Sequence, residues 1–334
     1  MISSDSSARR RTGETFAPDR LVRETRQFYA GGNVQNQFAV SSFSLRSLLG
    51  PIEIMFRGPD GVKKRFTWGE PSPTPITLLE LPALLREKLD VDAIEICQFH
   101  VKHSSPDYVA HLKRSLTDAG VSLINMPIDV GNISDPNPTY REEDLAEIEG
   151  WIRVAAELGS RFVRVNASMP FATESAPIEV TIASYQRLAS TAESLGMQML
   201  LENHGGITRD PEVIVRLVEA VGPTHLKTLV DICNFEPLLS LQSAESSGNV
   251  PSDLDLAPLY AALARIAPYA GLVHAKTIRF DEDGKPLLID VVKALRIVRD
   301  TGFTGPIAVE FEGGTGDPWV NTARTKALVE EAFS

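Results

Sequence analysis

Short apolar runs alternate with longer segments along the chain from residue 37 onward, and the longer segments repeat apolar residues every three or four positions. A short, near-continuous apolar run is typical of a parallel strand that is buried on both faces. We predict eight strands, at residues 38–43, 93–99, 122–128, 161–167, 197–203, 226–232, 271–277 and 306–312.

The longer segments have the spacing of amphipathic helices, and most of them end at or near a glycine. They cover residues 78–89, 108–120, 143–159, 182–196, 211–222 and 288–302. Strands separated by helices predict an α/β fold, and eight such units predict a (β/α)8 TIM barrel, formed by residues 36–334 as a single domain. The alternative is an open doubly wound sheet, but no glycine-rich phosphate motif follows the first strand to favour it.

Two insertions interrupt the repeat at the C-terminal ends of predicted strands. Residues 52–68, which contain Pro-Asp-Gly, predict a β-hairpin after the first strand. Residues 236–256 predict a long Ser-rich loop after the sixth strand. Either insertion can shape a substrate pocket, form a partner interface or be a passive surface excursion. Residues 1–35 are polar and arginine-bearing, and we predict a flexible N-terminal arm there.

Composition narrows the classes of partner. The 334 residues are 43% hydrophobic and 23% charged, and the net charge of −11 disfavours nucleic acid and anionic membranes as partners. Small uncharged substrates fit that charge better. Cys97 lies in a predicted strand and Cys233 directly follows one, which is typical of a reduced protein. Because neither a signal peptide nor a membrane-spanning apolar run is apparent, we expect a cytoplasmic protein.

Four successive predicted strands end in residues that can bind a hard metal ion. They are Glu202, Asp231, His274 and Glu310. Side chains at the C-terminal ends of barrel strands point into the active site of this fold. Three carboxylates with one imidazole suit Mn²⁺ best, with Mg²⁺ or Co²⁺ as alternatives, and like charges held together need a cation. The competing interpretation is a metal-free network of ion pairs at the barrel mouth.

Other polar residues at the strand ends are candidates for catalysis or substrate binding. His204, two positions after Glu202, is a candidate general base, although it can equally serve only to orient Glu202. His103 is more typical of an exposed loop histidine. The candidate substrate-binding residues are His100, Asn125, Asp129, Arg164, Asn166, Asn234 and Lys276.

The stretches LLENHGG, VDICNFEP, VHAKT and PIAVEFEG resemble the xylose isomerase-like, sugar phosphate isomerase/epimerase barrels, over approximately residues 37–330. The resemblance implies that the four candidate ligands hold a metal. It also implies that Glu202 and Glu310 exchange protons with opposite faces of a ketose. The chain departs from many epimerases at Asn234, where they carry His, and at Thr277, where they carry Asp.

The stretches FAVSSFSLRSLLGP, AIEICQFH, LLENHGG and DICNFEP are also similar to the larger, metal-binding subunits of C-glycoside deglycosidases, which work with a small β-rich partner subunit. That resemblance implies a lyase. A base, His204, would remove the C2 proton of a 3-keto-glycoside, and the aglycone would leave from C1. We expect this lyase, with a sugar isomerase or epimerase using Glu202 and Glu310 as the alternative.

Two further alternatives stay open at this point. An endonuclease-IV-like barrel is disfavoured by the net charge and by the lack of a His-rich multi-metal set. A catalytically silent barrel could serve as a binding subunit. Whether the chain forms a homo-oligomer or works with a different subunit is open as well.

Overall fold

The computed structural model describes residues 36–58, 60–169, 175–244 and 254–334. The predicted N-terminal arm at residues 1–35 lies outside the described residues, as does most of the second half of the predicted loop at 236–256. The strands, in chain order, are β1 (Phe38–Ser41), β2 (Ile52–Arg57), β3 (Lys63–Trp68), β4 (Ala93–Glu95), β5 (Ser122–Ile128), β6 (Phe162–Val165), β7 (Gln198–Glu202), β8 (Leu226–Asp231), β9 (Ala270–Thr277) and β10 (Ile307–Phe311).

All of these strands except β2 and β3 form a closed parallel barrel, in which β1 pairs with both β4 and β10. The predicted (β/α)8 barrel is confirmed, and each predicted strand overlaps one barrel strand. The α-helices, in chain order, are α1 (Arg46–Leu49), α2 (Leu81–Leu89), α3 (Pro106–Ala119), α4 (Pro138–Leu158), α5 (Ile178–Ser194), α6 (Pro211–Val221), α7 (Leu238–Ala244), α8 (Ala257–Ile266), α9 (Val291–Arg299) and α10 (Pro318–Phe333).

Helix boundaries differ from the predicted segments where capping residues decide them. Helix α4 begins before residue 143, because Asn137 accepts a hydrogen bond from the Thr139 N–H (2.9 Å) and Pro138 fits the first turn. Helix α9 begins after residue 288, because Leu288 has a φ of 79° that no helix accommodates. Residues 238–244 form helix α7, so the predicted loop at 236–256 is not loop throughout.

The barrel interior contains a closed layer of apolar side chains, one from each barrel strand. Each of these side chains is at most 5% exposed, and together they form one buried cluster. This apolar layer consists of Ala39, Ala93, Ile124, Phe162, Leu200, Leu229, Leu272 and Ala308. A second, larger cluster packs the outer faces of the strands against the helices. The interior of the barrel is therefore a packed core, and any site must lie above it at one end.

The predicted hairpin at 52–68 is present as an antiparallel pair, β2 and β3. At its base, Trp68 stacks on Phe43, with ring centroids 5.8 Å apart. At its tip, Arg57 and Lys63 form ion pairs with Asp144 of α4 at 3.2 and 2.9 Å. Asp144 also accepts a hydrogen bond from the backbone N–H of Asn132 (2.9 Å). The hairpin thus reaches from the segment after β1 to helix α4.

A buried hydrogen-bond chain joins the segments that follow β1 and β4. The backbone N–H of Cys97 donates to Oγ of Ser42 (2.9 Å), and that Oγ lies 2.9 Å from Nδ1 of His100. Burial, and then the charge of Arg46, lower the pKa of His100 to about 3. The ring is therefore neutral, and this hydrogen bond joins it to Ser42.

Among the residues that the structure describes, no helix has the length and hydrophobicity that a membrane crossing requires.

We expect Asp144→Asn to destabilise the fold by about 2 kcal/mol, because it removes the buried charge that Arg57 and Lys63 share. Urea unfolding monitored by circular dichroism measures this. The matched control is Glu53→Gln, which breaks an exposed pair with Arg65 on the same hairpin and should cost less than about 0.5 kcal/mol. Equal losses in the two variants would show that Asp144 does not anchor the hairpin.

His100 should make the protein less stable in acid. Its folded-state pKa of about 3 lies below the usual 6.5, so the unfolded chain binds the extra proton between these values. Unfolding therefore becomes easier as the pH falls through that window. Between pH 7 and pH 5 we expect wild type to lose about 2 kcal/mol more unfolding free energy than His100→Gln. Urea titrations of both proteins at the two pH values test this, and parallel losses would contradict it.

Candidate metal centre

A layer of polar side chains lies directly above the apolar layer. Successive inward-facing positions of a strand are two residues apart. On β5 the step is one residue, because an irregular register places Asn125 beside Glu95. The resulting polar layer consists of Ser41, Glu95, Asn125, Arg164, Glu202, Asp231, His274 and Glu310, none more than 6% exposed.

The four predicted ligands converge on one nitrogen atom. The strand register pairs Asp231 with His274. Nδ1 of His274 lies 3.6 Å from Oε1 of Glu202, 3.7 Å from Oδ2 of Asp231 and 3.5 Å from Oε2 of Glu310. Ligand atoms around one cation, each ~2.1–2.3 Å from it, are roughly 3.0–3.7 Å apart. Nδ1 is buried and makes no hydrogen bond within the described residues. Ligand atoms of Glu202, Asp231 and His274 all lie within 4.8 Å of one another, so these three residues could hold a metal ion, and Glu310 forms a second such group with His274 and Glu95.

Glu95, which the sequence analysis did not select, holds the other side of the same imidazole. Its Oε2 lies 2.9 Å from Nε2 of His274 and accepts a hydrogen bond from Asn125 at 2.7 Å. A carboxylate that accepts the Nε2 proton leaves the Nδ1 lone pair directed at the metal position. The signal was present in the sequence, since Glu95 stands two residues after the inward-facing Ala93.

Electrostatics at the centre also favour a cation. Buried carboxylates outnumber the basic groups, Arg164 and Lys276, that contact them. Burial alone would lower the pKa of His274, but the surrounding carboxylates, Glu95 and Glu310 foremost, raise it well above its usual value. Burial would also lower the pKa of Lys276, but Asp231, Glu312 and Glu310 raise it well above its usual value. A site that raises the pKa of its basic groups this far without a bound ion favours positive charge, and it is therefore suited to a divalent cation.

Several of the predicted substrate-binding residues, together with the candidate base His204, line a cavity of about 780 Å³ above the centre. Those at its surface are Asp129, Arg164, Asn166, His204 and Lys276. Arg164 donates through two nitrogens to Asp129 and through Nε lies 2.9 Å from Glu202. Nδ2 of Asn166 donates a hydrogen bond to Asp129 and lies 3.4 Å from Nδ1 of His204. These side chains form one network on a single wall of the cavity.

The other predicted substrate-binding residues do not lie at the cavity surface. Asn125 donates to Glu95, while Asn234 donates to Oε1 of Glu202 (3.2 Å) and accepts from Lys276 (3.0 Å). The two asparagines thus hydrogen-bond to other side chains of the centre, because polar groups buried in this layer need partners. His100 is buried against Ser42, and His103 is exposed, as predicted.

An apolar wall of the cavity was not predicted from the sequence. The hairpin strands contribute Ile54, Phe66 and Trp68, and the segments after β1 and β4 contribute Phe43 and Phe99. Phe43 also contacts Phe99 edge-on, with ring centroids 6.0 Å apart. The cavity therefore has polar side chains at its floor, beside the metal centre, and this apolar wall as its aromatic roof.

We expect Glu95→Gln to weaken Mn²⁺ binding about 10- to 100-fold, because the amide holds the imidazole of His274 less firmly. Competition with a fluorescent chelator measures the dissociation constant. The matched control is Glu193→Gln, which alters an exposed carboxylate–histidine pair with His225 and should leave Mn²⁺ affinity unchanged. An unchanged affinity in Glu95→Gln would refute this role of Glu95.

Comparison with solved structures relates this barrel to sugar epimerase structures. Similar folds include a D-psicose 3-epimerase in the presence of D-fructose (TM-score 0.60, 15% identity, covering 89% of this chain and 96% of that one). An L-ribulose 3-epimerase has a TM-score of 0.62 at 14% identity, with the same coverages. A 3-keto-D-glucoside 4-epimerase from E. coli has a TM-score of 0.57 at 18% identity, covering 77% of this chain and 95% of that one.

At these identities the likeness is one of fold. The search among curated proteins gives no match. The profile of the family described as "Xylose isomerase-like TIM barrel" matches residues 85–332, which is well over half of the chain. The chain therefore belongs to the xylose isomerase-like TIM barrel family.

Proposed function

We propose that the protein is a divalent-metal-dependent enzyme that enolises a keto sugar, as an isomerase or epimerase does. The observation that carries this is the buried Nδ1 of His274, which makes no hydrogen bond within the described part of the chain and faces oxygens of Glu202, Asp231 and Glu310. Support comes from the structural neighbours, several of which are sugar epimerases. Mn²⁺ suits this ligand set best, with Mg²⁺ and Co²⁺ as alternatives.

A divalent cation, when bound, stabilises the negative charge that develops on a substrate carbonyl oxygen. The protein must then move a proton at the neighbouring carbon. Glu202 and Glu310 come from β7 and β10, so they approach the centre from different sides of the barrel. Oε2 of Glu202 is held by Arg164 and its Oε1 by Asn234, and both Glu202 and Glu310 line the cavity. We assign proton transfer on the two faces of the substrate to these two carboxylates.

The first experiment is incubation of the Mn²⁺-loaded protein in D₂O with a panel of free ketoses and 3-keto-glycosides, read by mass spectrometry. We expect metal-dependent uptake of deuterium into the sugar, and a loss of at least about 100-fold in Glu310→Gln. Mn²⁺ affinity of each variant is measured in parallel, because Glu310 is also a candidate ligand. The control Glu53→Gln should exchange at the wild-type rate. Absence of exchange with Mn²⁺, Mg²⁺ and Co²⁺ would overturn the proposal.

A second candidate function is the lyase, and the size and apolar roof of the cavity favour it. A volume of about 780 Å³ falls in the range of about 300–1,000 Å³ that encloses drug-sized ligands. It exceeds what one sugar ring requires. Trp68 and Phe66 of the hairpin offer flat apolar surface at some distance from the centre. A 3-keto-glycoside could place its sugar at the centre and its aglycone against the hairpin.

In this reaction a base takes the C2 proton, the electron pair forms a C1–C2 double bond, and the C1–aglycone bond breaks. The aglycone leaves with that bonding pair and takes up a proton. His204 lines the cavity two residues from Glu202, and we propose it as the base. Free aglycone that depends on metal and on His204 would establish the lyase, whereas deuterium in an intact epimerised sugar would exclude it. A small β-rich partner subunit remains a proposal attached to this reaction.

A further inference from the structure

The charged groups around the cavity are unevenly balanced. Its described lining residues include seven carboxylates and four basic side chains. A phosphorylated sugar would need at least one basic side chain that can turn towards its phosphate, because buried phosphate is normally held by Arg or Lys. The pairing of each basic side chain therefore decides what charge the cavity accepts.

The two basic groups beside the metal centre are engaged by carboxylates. Arg164 binds Asp129 through two nitrogens and lies 2.9 Å from Glu202 through Nε. Nζ of Lys276 lies 3.0 Å from Oδ2 of Asp231 and 2.6 Å from Oε2 of Glu312. Lys276 also donates a hydrogen bond to Asn234 (3.0 Å), so its ammonium group contacts two carboxylates and one amide.

The two basic groups at the hairpin end are engaged as well. Arg57 lies 2.8 Å from Glu143 and 3.2 Å from Asp144. Lys63 lies 2.9 Å from Asp144 and 2.5 Å from Glu147. These pairs hold the hairpin to helix α4, so redirecting either group to a ligand would loosen the cavity roof.

Glu312 adds a carboxylate at the cavity wall that the metal centre does not use. It stands two residues after Glu310, and so faces inward at the next level above the polar layer. Its side chain is 29% exposed, and its Oε2 is held by Lys276. A carboxylate held in place at a cavity surface accepts hydrogen bonds from sugar hydroxyls and repels a phosphate.

We propose that the cavity takes a neutral, unphosphorylated sugar, and that Glu312 is a specificity-determining residue that binds a substrate hydroxyl and rejects phosphorylated sugars. The inference rests on the proposed function, since it concerns the sugar that the same site binds. A phosphate group carries about −1.5 to −2 charge at neutral pH. Placing it here leaves that charge desolvated beside carboxylates, because all four basic side chains of the lining are already paired.

The test compares D-fructose with D-fructose 6-phosphate, by isothermal titration calorimetry on the full chain loaded with Mg²⁺. We expect the 6-phosphate to bind at least tenfold more weakly than D-fructose. Equal or tighter binding of the 6-phosphate would overturn the inference and leave the proposed function standing. If neither sugar binds, the inference falls, whereas the proposed function is decided separately by the deuterium exchange of the other keto sugars.

A variant tests the residue itself. Glu312→Gln should reduce the preference for D-fructose over the 6-phosphate at least threefold, mainly by strengthening the binding of the 6-phosphate. The reason is that the amide still accepts a hydrogen bond from a sugar hydroxyl but carries no charge to repel the phosphate. The matched control Glu53→Gln removes one negative charge from an exposed position on the hairpin and should leave the preference unchanged. A preference that is unaltered in Glu312→Gln, or altered equally in both variants, would overturn the assignment of Glu312.

Discussion

The site depends on the two-residue repeat of inward-facing side chains in a closed parallel barrel. Leu200, Leu229 and Leu272 belong to the buried apolar layer, and two residues further along each strand stand Glu202, Asp231 and His274. Since all barrel strands are parallel, one step of this repeat leads from the buried apolar layer to a ring of polar side chains. The candidate metal ligands of the site follow from that change of layer.

Charge is the second constraint, and it explains why so many side chains around the centre are committed to one another. Carboxylates that lie this close in a buried layer need compensation. Arg164 and Lys276 provide part of it, and the proposed metal ion beside Nδ1 of His274 would provide the rest. Because the basic groups are used for this purpose, the cavity above the centre retains a surplus of carboxylates. The pairing of the basic groups at the centre thereby influences which ligands the cavity above it accepts.

The sequence analysis reached the barrel and the four candidate ligands because both depend on short-range pattern: alternation along each strand, and residue type at four successive strand ends. It missed Glu95, which binds His274 although 179 positions separate them. Strand β4 is a neighbour of neither β8 nor β9 in the barrel, so only closure brings the two side chains together across the interior. Asn125 and Asn234 were assigned to substrate for the same reason, since sequence spacing does not show which partner a buried amide contacts.

The sequence by itself determined the repeating strand–helix order, the position of the hairpin insertion and the residue types available at the barrel mouth, because each of these depends on local periodicity and turn chemistry. The tertiary structure decided which nitrogen of His274 faces the carboxylates, that His100 lies buried against Ser42, and that the hairpin forms the aromatic roof of the cavity. These are contacts between segments far apart in the chain. Barrel closure and the ion pairs of Asp144 bring those segments together, and no local pattern encodes them.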